Sequence, residues 1–379
     1  MTKKLDWPVW PKYDAEHEQA VVRVIRSNQL FAAQEVAAFE REFATYTDAT
    51  YTVGVGNATQ GLHLALAALG VGPGDEVIVT PYSWISSASC VLMQNAIPVF
   101  VDIEPQTFGL CPEALRKAIT SRTKAVILVH MFGLAAQIDK IKEVCDSHRI
   151  AIVEDASHAH GARFYDKRLG TFGDIGVFSL HQRKAISTGD GGILCTDDPI
   201  LQERLRKLRS FGADQLSYNY RMTEFSAALA RVGLARLDRE NNLRQRNHDI
   251  LSSILQGSKF QVIEPIPRVE AVYYTNLLDN DLTTEQQNEL IAAAQLHGIP
   301  LKRTWQPLHR HPHFSRDNMP NNVAPWDWVG SNGIEPAASS LPISELYQTS
   351  RLLELDCHPL VLPNMVKLAG EIILELIPK

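Results

Sequence analysis

The sequence predicts an α/β fold: a large domain built on a mainly parallel sheet with helices on both faces, followed by a smaller C-terminal α+β domain. Three observations carry this expectation. From about residue 53 to 210, short apolar runs alternate with amphipathic stretches, the pattern of strand–helix–strand units. Residues 223–251, TEFSAALARVGLARLDRENNLRQRNHDIL, read as one long helix placed to join two domains. Beyond it the pattern changes to separate strand-like runs and a final helix. A chain of 379 residues also exceeds one ordinary core, and the division is placed at residue 245, giving 1–245 with an N-terminal arm and 246–379.

The elements follow in order. VGVGNATQGLHLAL reads as a strand, a small-residue turn and a helix that stops at Gly70. EVIVT (Glu76 to Thr80), PVFVD (Pro98 to Asp102), KAVILVH (Lys124 to His130) and IAIVED (Ile150 to Asp155) read as buried strands, with IDKIKEVCDSHR as a helix among them. GDIGVFSLHQRKAISTGDGGILCT reads as a loop held between two strands. In the C-terminal part FQVIEP, AVYYTNLL and IPLKRTW look like strands, and NMVKLAGEIILELI like a helix. The Pro- and Asn-rich stretch from Arg310 to Pro336 reads as a loop or lid. Parallel sheets of this kind hold ligands beyond the carboxyl ends of their strands, so function is expected just after Val55, Thr80, His130 and Asp155.

Composition narrows the function classes. A formal net charge of -6 argues against a general affinity for nucleic acid, while leaving room for a local basic pocket. The five cysteines form no CxxC pair, so reduced thiols are expected. No run suits a signal peptide or approaches the ~20 apolar residues of a membrane helix, so a soluble, cytoplasmic protein without membrane association is expected. His158 and His160 lie two apart but have no evident third partner, and no metal is expected.

Four features at strand ends point to chemistry. The turn Asn57-Ala58-Thr59 offers free amides at a helix start, a geometry that binds phosphate, although a plain helix cap is the commoner use of such residues. Asp155 ends an apolar strand, where a carboxylate needs a partner; the partner is either a ligand cation or the turn that follows. Lys184 sits among small and polar residues, bracketed by Ser179 and Gly189, Gly191 and Gly192. A lysine held near a phosphate and an aromatic cation loses its proton more easily than its ordinary pKa of about 10.4 implies, and the neutral amine attacks aldehydes. Trp84 follows a strand and serves equally well to stack on a flat ring or to pack the core.

Together GNATQGLHLAL, TPYSWISSA, AIPVFVDIEPQTFGL, VEDASHAHGA, GDIGVFSLHQRKAISTGDGG, LRSFG, YNYRMTEFSAAL and GIPLKRTWQPLH resemble the DegT/DnrJ/StrS family of sugar aminotransferases, over most of the chain. The resemblance implies the pyridoxal-phosphate (PLP) fold type I, with a seven-stranded sheet in the large, cofactor-binding domain. It implies Lys184 as the residue that holds PLP in a Schiff base and Asp155 as the partner of the pyridine nitrogen. His158 would lie near the ring hydroxyl, Trp84 would stack on the ring, and Ala58, Thr59 and Ser179 would contact the phosphate. It further implies a homodimer with shared active sites, in which Asn219 reaches the phosphate of the neighbouring subunit. Glutamate would be the amino donor, pyridoxamine phosphate the intermediate carrier, and a carbonyl sugar the acceptor. Relatives that dehydrate sugars carry histidine in place of the lysine; lysine at 184 favours transamination.

The residues before the lysine, His181, Gln182 and Arg183, are unusual for such a chain. Arg183 either pairs with an acidic substrate or makes a structural bond across the dimer. His181, Arg183 and His309 are the candidate substrate contacts. An acidic, nucleotide-free acceptor such as the 8-aldehyde of 3,8-dideoxyoctulosonate would suit this arginine; a nucleotide-linked keto-hexose is the alternative. A non-catalytic regulator on the same fold would be expected to lack Lys184 or Asp155, and both are present.

Overall fold

The computed structural model describes residues 4–211, 216–319, 323–327 and 340–377. Among the described residues, fourteen strands form three sheets. In chain order they are β1 (Tyr51–Val55), β2 (Glu76–Val79), β3 (Ile97–Phe100), β4 (Thr123–Val129), β5 (Ala151–Asp155), β6 (Arg163–Phe164), β7 (Lys167–Arg168), β8 (Ile175–Ser179), β9 (Gly192–Thr196), β10 (Phe260–Val262), β11 (Val269–Glu270), β12 (Asn276–Asn280), β13 (Lys302–Arg303) and β14 (Leu352–Leu355). The large sheet has seven strands in the order β1-β9-β8-β5-β4-β2-β3. β3, β2, β4, β5 and β8 run parallel, whereas β9 runs antiparallel to both β8 and β1. This is the mainly parallel sheet that the alternating pattern predicts.

Side-chain alternation explains why apolar runs were the signal. Along β4, Ala125, Ile127 and Val129 enter one buried cluster, and Val126 and Leu128 enter another on the opposite face. β2 divides in the same way, with Val77 and Val79 on one side and Ile78 on the other. A strand covered on both faces must be apolar throughout. Each large side chain so buried contributes roughly 1.5–3 kcal/mol. The helix Ala58–Ala68 covers the first face, with Leu62, Leu64 and Leu66 buried. The helices Gln34–Thr47 and Ile138–His148 cover the second through Phe39, Phe43 and Ile141.

The long helix is Glu224–Leu255. Its Ala227 and Leu237 pack on the large sheet, while Leu251 and Leu255 enter a separate core. That core lies on the four-stranded sheet β10-β12-β14-β13, closed by the helices Thr284–Leu296 and Pro363–Leu376. The C-terminal strands are shorter than the runs that predicted them. AVYYTNLL becomes strand only from Asn276, because Tyr273 adopts a positive φ of 45° and the Tyr274 N–H is taken by the Phe132 carbonyl at 2.9 Å. IPLKRTW pairs only through Lys302 and Arg303. The stretch expected to be a loop or lid opens with tight 3-10 turns at Leu308–Arg310, Pro312–Phe314 and Arg316–Asn318; 320–322 and 328–336 lie outside the described residues.

Candidate active site

Because β2, β4, β5 and β8 are parallel, their carboxyl ends share one edge of the sheet. Asp155 ends β5 and Ser179 ends β8 at this edge, and the lysine loop follows β8. Asn57 caps the helix Ala58–Ala68 by accepting from the Gln60 N–H at 2.9 Å, so the amides of Ala58 and Thr59 have no intrahelical acceptor. Thr59 shares a 2.7 Å hydrogen bond with Ser86, the first residue of the helix Ser86–Met93. Two helix N-termini therefore adjoin at this edge, and both favour negative charge. Close backbone approach keeps the first of them against the lysine loop. A side chain at Gly192 would place its Cβ 2.8 Å from the carbonyl carbon of Asn57 and 2.9 Å from the nitrogen of Ala58.

Asp155 is 5% exposed at the end of β5. Ser87 donates to its Oδ2 at 2.7 Å, and the Ser157 N–H donates to its Oδ1 at 3.2 Å. Since the Ser87 proton goes to Asp155, Ser83 must donate to Ser87 across their 2.7 Å contact. Beside it in β5, Glu154 is fully buried and accepts the N–H groups of Gly170, Phe172 and Gly173 at 2.5–2.8 Å. His130 also reaches Glu154 at 2.8 Å through Nε2; its Nδ1 accepts from Ala136, so Nε2 carries the proton. This anchored glutamate fixes the strand end on which Asp155 stands.

Lys184 lies in the loop between β8 and β9, half-buried, with Nζ 5.1 Å from the centre of the Tyr274 ring. Burial pulls its pKa down to about 8, against the opposing pull of Asp155. His158 stacks on Tyr274 at 4.3 Å, and Phe132 stacks behind His158 at 5.5 Å. Burial, then the charges of Lys184 and His160, hold the His158 imidazole neutral by pushing its pKa well below the usual range. Its Nδ1 accepts from the Phe132 N–H at 3.3 Å, which leaves the proton on Nε2. That nitrogen is buried and has no partner among the described residues, a donor left without an acceptor.

The remaining predicted residues divide. Ser179 ends β8, buried, accepting from the His181 N–H at 3.2 Å. Trp84, just past β2, is 60% exposed and meets Trp305 edge-on at 5.8 Å, placing it at the surface rather than in the core. Asn219 is exposed and accepts from Arg221 at 3.1 Å. His181 and Arg183 are exposed; burial raises the Tyr274 phenol above its ordinary range, the nearby Arg183 charge opposes this only in part, and the Arg183 guanidinium makes no hydrogen bond or ion pair among the described residues. His309 departs from expectation. It is fully buried, bonded to Glu345 at 2.9 Å and tilted against Phe100, so no open face remains for a substrate. Sequence reasoning missed Ser87, Glu154, Tyr274 and Trp305. Ser87 lay inside TPYSWISSA, where it was readable as an acid's partner; Tyr274 and Trp305 carried no signal, since only the fold brings them to Lys184 and Trp84.

These groups fit PLP: a buried acid for a ring nitrogen, a lysine amine of lowered pKa, an unsatisfied imidazole N–H, and helix amides for a phosphate. The family model of the DegT/DnrJ/EryC1/StrS aminotransferase family matches residues 11–351. An L-glutamine:2-deoxy-scyllo-inosose aminotransferase from Streptomyces kanamyceticus is 36% identical over 81% of this chain and 79% of its own length. A dTDP-3-amino-3,4,6-trideoxy-alpha-D-glucose transaminase from Streptomyces venezuelae is 35% identical over 82% of this chain and 83% of its own. The solved structure of a 3-amino-5-hydroxybenzoic acid synthase superimposes with a TM-score of 0.89, covering 99% of both chains at 28% identity. The chain belongs to the DegT/DnrJ/EryC1/StrS family and is a PLP-dependent aminotransferase.

Proposed function

We propose that this enzyme transfers an amino group from glutamate to the 8-aldehyde of 3,8-dideoxyoctulosonate, with Lys184 as the cofactor lysine and proton carrier. The observation that carries the site assignment is the Lys184 amine, lowered by burial to about 8, within electrostatic reach of Asp155 and 5.1 Å from the Tyr274 ring centre. When bound, PLP supplies an aromatic electron sink that stabilises negative charge at a substrate carbon. Asp155, fixed by Ser87 and Ser157, would keep a ring nitrogen protonated. The amides of Ala58 and Thr59, with Ser179, would hold the phosphate, and His158 Nε2–H would donate to the ring hydroxyl. Trp84, exposed beside this edge, would stack on the ring. In a homodimer, exposed Asn219 would serve the neighbouring subunit's phosphate.

Lys184 Nζ takes the proton from the donor α-carbon and returns one to the acceptor carbon, work suited to an amine that titrates near 8. The exchange balances: the donor C–N bond becomes C=O as 2-oxoglutarate, the acceptor C=O becomes C–N, and one hydrogen lost at carbon is matched by one gained. The unpaired Arg183 beside Lys184 supports an acceptor that carries a carboxylate. The name of the S. kanamyceticus relative's substrate carries no nucleotide, which agrees with a pocket for a free acceptor. The name of the S. venezuelae relative favours the second reading, a nucleotide-linked keto-hexose.

Lys184→Ala is expected to abolish turnover and the borohydride-reducible link to PLP; retention of full activity overturns the assignment. The acceptor is tested by supplying glutamate with either compound and following 2-oxoglutarate. Turnover with nucleotide sugars alone rejects the octulosonate.

A further inference from the structure

The N-terminal arm, residues 5–14, runs from the C-terminal sheet to the back of the lysine loop. At its start the Leu5 N–H donates to the His297 carbonyl at 2.8 Å, and the Trp7 indole N–H donates to the Asp356 carbonyl at 3.2 Å. The Pro8 carbonyl accepts from His358 Nε2 at 3.0 Å. The Trp10 indole N–H then donates to the carbonyl of Lys184 itself at 3.2 Å. Its ring lies 5.0 Å from the Arg244 guanidinium and 5.8 Å from the His358 ring. Tyr13 comes next, 2.8 Å from Ser187 Oγ; because Ser187 gives its own proton to the Gln182 carbonyl, Tyr13 is the donor. Asp14 finally pairs with Arg236 of the long helix at 2.8 Å.

Inside the loop, the Lys184 N–H is bonded to the His181 carbonyl at 2.8 Å, so Trp10 fixes the other side of the same residue. A pocket of about 340 Å³, partly open to solvent, lies between the arm, the lysine loop and the long helix, lined among others by Trp10, Tyr13, Ala185, Ser187 and Glu240.

We infer that Trp10 is a positioning residue for Lys184, and that the arm is a strap through which the C-terminal sheet sets the height of the lysine in the site. This rests on Lys184 being the reacting amine. Trp10→Phe keeps the aromatic ring and removes the N–H. In the full chain freed of cofactor, labelling of Lys184 by a small amine-reactive reagent is followed against pH by peptide mass spectrometry. The midpoint for the wild type is expected near 8 and should rise by about half a unit or more in Trp10→Phe, as the amine gains access to water. In the loaded enzyme, kcat should fall about tenfold with KM for glutamate unchanged within about twofold, the pattern of a displaced reacting group. Tyr13→Phe should move both readouts in the same direction by less. Unaltered midpoints and kcat in both variants, or a lower melting temperature as the only change, overturn the inference. If wild-type Lys184 carries no reducible cofactor, the site assignment fails instead, and the strap is not the cause.

Discussion

Two buried glutamates, one in each main sheet, respond to burial in opposite ways. Glu154 in β5 is 0% exposed and Glu354 in β14 is 2% exposed, so depth does not distinguish them. Burial pushes both carboxyls up, yet the pKa of Glu154 ends below the ordinary range and that of Glu354 above it. At Glu154 the His130 hydrogen bond, with the Gly173 and Gly170 amides, outweighs burial. At Glu354 the Lys302 ammonium and the Thr304 hydroxyl, at 3.0 and 2.7 Å, do not. The lesson is that converging N–H donors, rather than access to water, decide whether a buried acid stays charged. The large sheet has such donors because the turn 170–173 folds over its carboxyl edge. The small sheet offers Glu354 a half-exposed lysine and a hydroxyl.

This contrast can be broken in three ways. The largest effect is expected for Glu154→Gln, which turns an amide NH2 toward groups that are themselves donors; a loss of about 3 kcal/mol or more by urea unfolding is expected. A second test uses pH. A depressed pKa gives stability that is present above the unfolded value and lost as pH falls through the folded one, so the gap between wild type and Glu154→Gln should narrow below about pH 4.3. An unchanged gap in acid would show that the carboxylate charge is not the source. The smallest effect is expected for Glu354→Gln, within about 1 kcal/mol at neutral pH. A raised pKa has the opposite sign: the wild type is most stable below about pH 4.3 and loses that increment as pH rises through the folded value. Urea midpoints across that range should slope less in Glu354→Gln than in the wild type.

The same contrast explains what was legible in the sequence. The large sheet obeys a repeating rule, apolar run then polar end, so Asp155 and the turn through Ala58 and Thr59 stood out by position; Lys184 stood out by the small and polar residues around it, and the roles of all four came from the family resemblance. Glu154 was hidden because its donors, from 170–173 and His130, are remote in the chain. Tyr274 was read as part of a strand, and its backbone bond to Phe132 is a tertiary fact that no local period encodes. His309 failed for the reverse reason: beside Arg310 it looks like an available cation, and only the fold shows Glu345 claiming both. In the C-terminal sheet, pairs as short as Lys302–Arg303 leave too little periodicity to fix a boundary.

Gly192 extends these relations to the enzyme's tolerance of change. The absence of a side chain there lets the strand that returns from the lysine loop lie directly on the turn before the helix Ala58–Ala68. Any replacement would push the lysine loop and the N-terminus of that helix apart where they cross. Sequence drift should therefore be constrained at this quiet backbone crossing as tightly as at residues that perform the chemistry.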